Sequence, residues 1–264
     1  MLAPYDKEAL RAQFRSAEPF PFVAIDDFLE PAFAKEVAAS YPTFEVARGH
    51  GHEFRAVNEA FKVQVTDEKR FPEPVRRLSN LLSSDAFLSD LAYITGIPNL
   101  LWDRELVGGG MHLTGPRGRL DVHVDFNYVP ERQLHRRLNI LIYLNPRWEE
   151  AWGGAVELWN RDVTERVRAF KPQLNRCVIF ETSEISFHGV EPVRCPPDVA
   201  RMSFAAYYYT REAPAGWDGT QHTTIFRARP HEKVRRYVLM PLEQLQRSAV
   251  PQAKRVVKKL LGRK

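Results

Sequence analysis

Cysteine is scarce: the 264 residues contain two, Cys177 and Cys195. So few thiols exclude a disulfide framework, and a 44% hydrophobic composition has to supply a core instead. Cys177 sits in a strand-like run and Cys195 precedes Pro196-Pro197, so the two need not pair, and cytoplasm is the default expectation. No apolar run is long enough to span a bilayer. The opening residues, Met1-Leu2-Ala3-Pro4-Tyr5-Asp6-Lys7-Glu8, lack a signal-peptide pattern. Internal repeats, low-complexity tracts and nucleic-acid-binding motifs are also missing. The net charge of +5 favours contact with anions but comes partly from a basic tail, and no nucleic-acid partner is expected.

What is present divides into a helical front, a β-rich middle and a less regular end. Leu10 and Phe14 stand four apart in a helix over 6–15. A strand over 20–28 follows, then a helix opened by Glu30-Pro31 and stopped at Tyr41-Pro42. Residues 43–65 read as irregular, and the stretch around His50 and His52 as a solvated loop, a mobile lid or a metal-binding pair. Two further helices run from about Pro74 to Leu82 and from an N-cap at Ser84 to Gly96. From Asn99 the texture changes to strands at 100–107, 120–126, 137–144, 154–160, 165–170, 175–181, 187–193 and 201–209. Gly108-Gly109-Gly110 breaks the first of these, Met111–Leu113 resumes it, 114–118 is a turn cluster and 130–136 a polar connection. Many short, evenly spaced strands indicate a sandwich or barrel. Residues 222–230 read as a strand covering an edge, 240–245 as a helix start, and 253–261 as a short basic amphipathic helix.

The chemistry is concentrated in Val122-His123-Val124-Asp125-Phe126-Asn127. In extended backbone, His123 and Asp125 point to one face and can reach one ion. Phe187-His188-Gly189 supplies a second imidazole. Two histidines and a carboxylate suit a non-haem Fe(II) centre with open positions, and they also suit a zinc hydrolase. Arg201, with Ser203 two residues on, separates the readings: a guanidinium beside a hydroxyl suits a carboxylate held away from the metal. Asn139 among apolar residues would be costly unless paired, which favours a cavity role.

With these residues the chain resembles the Fe(II)- and 2-oxoglutarate-dependent dioxygenases, in the branch similar to prolyl 4-hydroxylases. Phe22–Leu29, Arg137–Asn145 and Trp152–Trp159 resemble further strands of that branch, in order. The resemblance implies a mainly β fold with flanking helices and a double-stranded β-helix (jelly roll, cupin-like) core. It divides the single domain into helices and a strand over 1–98, the catalytic core over 99–211 and an extension over 212–264. His123, Asp125 and His188 would be the iron ligands and the catalytic centre. Arg201 would bind the distal carboxylate of 2-oxoglutarate, assisted by Ser203 and Tyr143, with Asn139 lining the cavity. Relatives often place a Tyr about ten residues before the first ligand; Met111-His112-Leu113 has none, and His112 is the polar candidate. The expected activity is hydroxylation of an unactivated C–H bond with dioxygen, releasing succinate and carbon dioxide. The substrate would be peptidyl or a small molecule, anionic if Arg104, Arg117, Arg119, Arg132 and Arg136 face it. Halogenases of the superfamily lack the carboxylate that Asp125 provides. A catalytically silent jelly roll that binds a sugar or a protein is the alternative from another class. The sequence leaves the oligomeric state open.

Overall fold

The structure is a computed structural model and describes residues 1–241. The front half holds α1 (Lys7–Ser16), β1 (Phe22–Ile25), α2 (Pro31–Ser40), α3 (Phe44–Arg48), β2 (His52–Arg55), β3 (Glu59–Val65), α4 (Glu73–Leu82) and α5 (Asp85–Thr95). Then come β4 (Leu101–Trp102), β5 (Gly110–Val124), β6 (Tyr128–Val129), β7 (Leu134–Tyr143), β8 (Val156–Trp159), β9 (Arg166–Phe170), β10 (Cys177–Glu181), β11 (His188–Val190), β12 (Arg201–Thr210) and β13 (Ile225–Arg227). Helix ends follow local chemistry. The Asp6 carboxylate accepts the amides of Glu8 and Ala9, and the Ser84 hydroxyl accepts that of Phe87, so first-turn donors are satisfied. Gly96, at φ +74°, closes α5 in a left-handed cap.

The strands pair antiparallel in the order β1-β10-β7-β12-β5-β11-β8-β9, with β3 and β13 also on β5. Alternation sorts their side chains. Leu138, Ile140 and Ile142 of β7, Cys177 and Ile179 of β10, and Phe204, Ala206 and Tyr208 of β12 join the core that α1, α2, α4 and α5 cover. The alternate residues face inward, where Tyr143, Val178 and Phe180 pack against Val156 and Leu158 of β8. That packing folds β8 and β11 over β7 and β10 and gives the jelly roll the sequence implies. Leu138 and Ile140 are wholly buried, so truncating either to Ala costs about 2–5 kcal/mol.

Several segments differ from the sequence reading. Residues 43–65 are regular, forming α3 and the β2–β3 hairpin. The span 100–107 holds only the two residues of β4, since Asp103 caps the turn after it by accepting the amides of Glu105 and Val107. Residues 114–118 do not end a strand; they form an excursion inside β5, whose register against β3 jumps from Lys62↔Thr114 to Ala60↔Arg119. The polar connection over 130–136 is shorter than expected because β7 begins at Leu134. The edge-covering strand is β13, on β5. Both cysteines are free and buried. Among the described residues no helix is long and apolar enough to cross a membrane. The basic helix expected over 253–261 lies outside the described residues, as does most of the helix expected from Met240.

Candidate functional site

His123 ends β5 and His188 starts β11, and the two residues are register partners. Asp125 follows β5 directly. One nitrogen of each ring and one carboxylate oxygen lie within 4.8 Å of one another. Asp125 Oδ1 is 3.5 Å from His123 Nε2, and its Oδ2 is 3.5 Å from His188 Nε2. The Nδ1 atoms face the carbonyls of Asp121 and Ser186, at 2.8 and 2.9 Å. A carbonyl only accepts, so each Nδ1 donates to it, and Nε2 is the nitrogen left facing the carboxylate.

Electrostatics favour the neutral ring of His188 and the ionised carboxylate of Asp125. Burial, then the neighbouring His123, pushes the His188 pKa down to about 3, so its ring is neutral near neutral pH. Burial would raise the Asp125 carboxyl, but Arg136 outweighs it together with both histidines and holds the group well below its ordinary value. The residues fit a divalent metal with His and carboxylate preference, and iron with open positions is the redox-active choice.

The cavity beside this triad is walled by Leu141, Val156 and Phe180 on its apolar side and by Arg201, Ser203 and His112 on its polar side. Arg201, at the start of β12, is 3% exposed. Its Nε donates to the Gly154 carbonyl at 2.7 Å, its Nη2 to the Tyr143 hydroxyl at 3.2 Å, and its Nη1 lies 3.4 Å from the Ser203 hydroxyl. Among the described residues no carboxylate is within ion-pair distance of this guanidinium. A buried, uncompensated cation is expensive, and a ligand carboxylate would compensate it. Gly154, at φ +73°, permits the approach: a Cβ there would lie 3.2 Å from Arg201 Cδ.

The structure places the other sequence candidates as follows. Ser203 lines the cavity. Tyr143 is fully buried behind Arg201 and holds it from the rear. Asn139 lines the cavity and donates Nδ2 to Asp125 Oδ2 at 2.7 Å. His112 also lines it, with Nε2 2.9 Å from the Gly108 carbonyl, and Tyr207 supplies a phenol ring to the wall. His50 and His52 are not brought to the triad: His50 contacts Arg70, and His52 packs edge-on against Phe54.

Arg136 is the residue sequence reading misplaced. It reads as surface or a substrate contact, yet it is buried and sits 3.0 Å from Asp125 Oδ2. The cause is a bulge. Tyr208 pairs with Leu138 but Tyr209 pairs with Arg136, so Arg137 is an extra residue in β7. Strict alternation from Asn139 would send Arg136 outward, and the bulge turns it in. Arg119 and Arg132 are likewise committed, to Asp121 and Glu232 and to Asp103.

Residues 109–209 match the model of the family described as the 2OG-Fe(II) oxygenase superfamily. This stretch holds the converging His-Asp-His set and Arg201, and the family's description names Fe(II) and 2-oxoglutarate. Prolyl 3-hydroxylase OGFOD1 of Mus musculus is 32% identical over 78 residues, which are 28% of this chain and 14% of that protein. This chain therefore aligns with about a seventh of that relative's length. A Trichoplax adhaerens prolyl hydroxylase, solved with a hypoxia inducible factor oxygen degradation domain peptide fragment, superposes with a TM-score of 0.56 at 18% identity. The match covers 77% of this chain and 90% of that one. A Pseudomonas putida prolyl-4-hydroxylase gives 0.54 at 18% identity, over 76% and 98%. At these identities the structural likeness establishes the shared fold.

Proposed function

We propose that the chain is an Fe(II)- and 2-oxoglutarate-dependent dioxygenase that hydroxylates an unactivated C–H bond. The observation that carries this reading is a buried Arg201 with no carboxylate partner among the described residues, in one cavity with a converging His-Asp-His set. His123, Asp125 and His188 would hold the iron. Arg201 and Ser203 would receive the distal carboxylate of 2-oxoglutarate, and Tyr143 would keep the guanidinium in place. Bound iron with 2-oxoglutarate supplies oxidation by dioxygen, in which C–H becomes C–OH while 2-oxoglutarate becomes succinate and carbon dioxide. Leu141, Val156 and Phe180 exclude water from the cavity. The matched relatives are named as prolyl hydroxylases, which makes a prolyl-containing peptide the first substrate to test.

The test is anaerobic. Fe(II) and 2-oxoglutarate are added to metal-free protein and the weak visible charge-transfer band of the chelate is followed. The band is expected in the wild type and weakened in His123→Ala and Arg201→Ala. A wild type that binds neither iron nor 2-oxoglutarate would overturn the proposal in favour of a non-catalytic binding module.

A further inference from the structure

A second cation reaches the cavity from outside the family-matched stretch. Lys62 lies on β3, ahead of residues 109–209, and lines the same cavity as Arg201. Alternation along β3 sets its direction: Val63 and Val65 join the helix-covered core, so Lys62 and Gln64 turn inward. Register then aligns the lysine with Arg201. Lys62 pairs with Thr114 of β5, and Thr114 pairs with Arg201 of β12, so one row across the sheet reads lysine, threonine, arginine. The next row reads Gln64, His112, Ser203 and Tyr143. Thr114, His112 and Ser203 line the cavity together with the two cations. His112 feels both of them: after burial, Lys62 and then Arg201 hold its pKa down. The ammonium itself is held in place. Its Nζ donates to Glu59 Oε1 at 2.8 Å and lies 5.2 Å from the centroid of the Phe54 ring.

We infer that Lys62 is a second binding residue for the distal carboxylate of 2-oxoglutarate, placed across Thr114 from Arg201. The inference rests on the dioxygenase reading above. A carboxylate has two oxygens to satisfy, and Arg201 cannot serve both with a free fork, because Nε is committed to the Gly154 carbonyl and Nη2 to the Tyr143 hydroxyl. Lys62 and the Thr114 hydroxyl are the further donors on that row. An ammonium has three N–H donors, and Glu59 takes one. Charge agrees with this. Glu59 offsets one of the two cations, which leaves one net positive charge for a single carboxylate to neutralise.

The experiment compares wild type with Lys62→Met and Glu59→Gln, all without oxygen. Fe(II) affinity is measured by equilibrium dialysis, and the half-saturating 2-oxoglutarate concentration of the loaded protein by the chelate band. Lys62→Met is expected to keep Fe(II) affinity within about threefold and to need at least about tenfold more 2-oxoglutarate, the size of one hydrogen bond to a charged group. Glu59→Gln removes the competing carboxylate, so its half-saturating concentration should stay at or below that of the wild type. A lysine that serves only to brace the hairpin through Glu59 gives the opposite pattern: both variants lower the thermal midpoint, and both shift the 2-oxoglutarate requirement the same way. If Lys62→Met does not fold, Lys62→Gln decides by the same comparison. The inference is overturned if the lysine variant saturates at wild-type 2-oxoglutarate concentrations, if it loses iron along with 2-oxoglutarate, or if Glu59→Gln raises the requirement as well. A wild type lacking the band removes the dioxygenase reading and this inference together; a wild-type band that Lys62→Met leaves unchanged removes this inference alone.

Discussion

His123 and His188 stand directly opposite each other on paired strands, ring centroids 4.3 Å apart, and each ring is anchored to the carbonyl two residues before it. Both imidazoles are therefore presented by rigid backbone, with the same nitrogen free. A site assembled this way is preformed, and on the proposed reading both rings would contribute to its affinity for a metal.

Replacing His188 by Ala is expected to weaken Fe(II) binding by more than the 10- to 100-fold typical of losing a partner behind a ligand. Isothermal titration with Mn(II) as an oxygen-stable surrogate measures this. Unchanged affinity would remove His188 from the ligand set.

Gly154→Ala tests the seat of Arg201. The new methyl would meet Arg201 Cδ and Trp148 at 3.2 Å, in a left-handed backbone conformation. The expected cost is about 1–3 kcal/mol of stability. It should come with a raised 2-oxoglutarate requirement and little change in metal affinity. Thermal melts and metal titration read the two parts separately.

The metal-free protein should lose stability on acidification. Burial, then Lys62 and Arg201, holds the His112 pKa well below its ordinary 6.5. Between those values the unfolded chain binds a proton that the folded chain refuses, so stability is present above about 6.5 and falls as the pH drops below it. His112→Gln should flatten this part of the profile, measured as thermal midpoint against pH. An unaltered slope would contradict the assignment.

Arg229 braces the strands behind the His-Asp-His set. It is 3% exposed, pairs with Glu157 at 2.6 Å and donates to the Val190 carbonyl at 2.9 Å. Arg229→Met leaves Glu157 buried with a single remaining cation, Arg166. The expected loss is about 3–5 kcal/mol, read by denaturant unfolding. A change under about 1 kcal/mol would show that Arg166 and water compensate the carboxylate.

Much of the molecule is legible in the sequence because its signals are local. The Ser84 and Gly96 caps mark α5, and alternation in β7 and β12 separates the helix-covered face from the inward one. The i and i+2 spacing puts His123 and Asp125 on one face, and Arg201 beside Ser203 marks a seat for a carboxylate. Those patterns depend only on side-chain chemistry and backbone period. The tertiary structure decided what depends on register. It placed His188 against His123, ran β5 through the 114–118 turn signals, and kept His50 and His52 apart from the triad. The bulge at Arg137 had the largest effect, because one extra residue reverses every side chain beyond it. The bulge shows only in the pairing of β7 with β12, so Arg136 reads as a surface or substrate contact and folds as the ion-pair partner of Asp125.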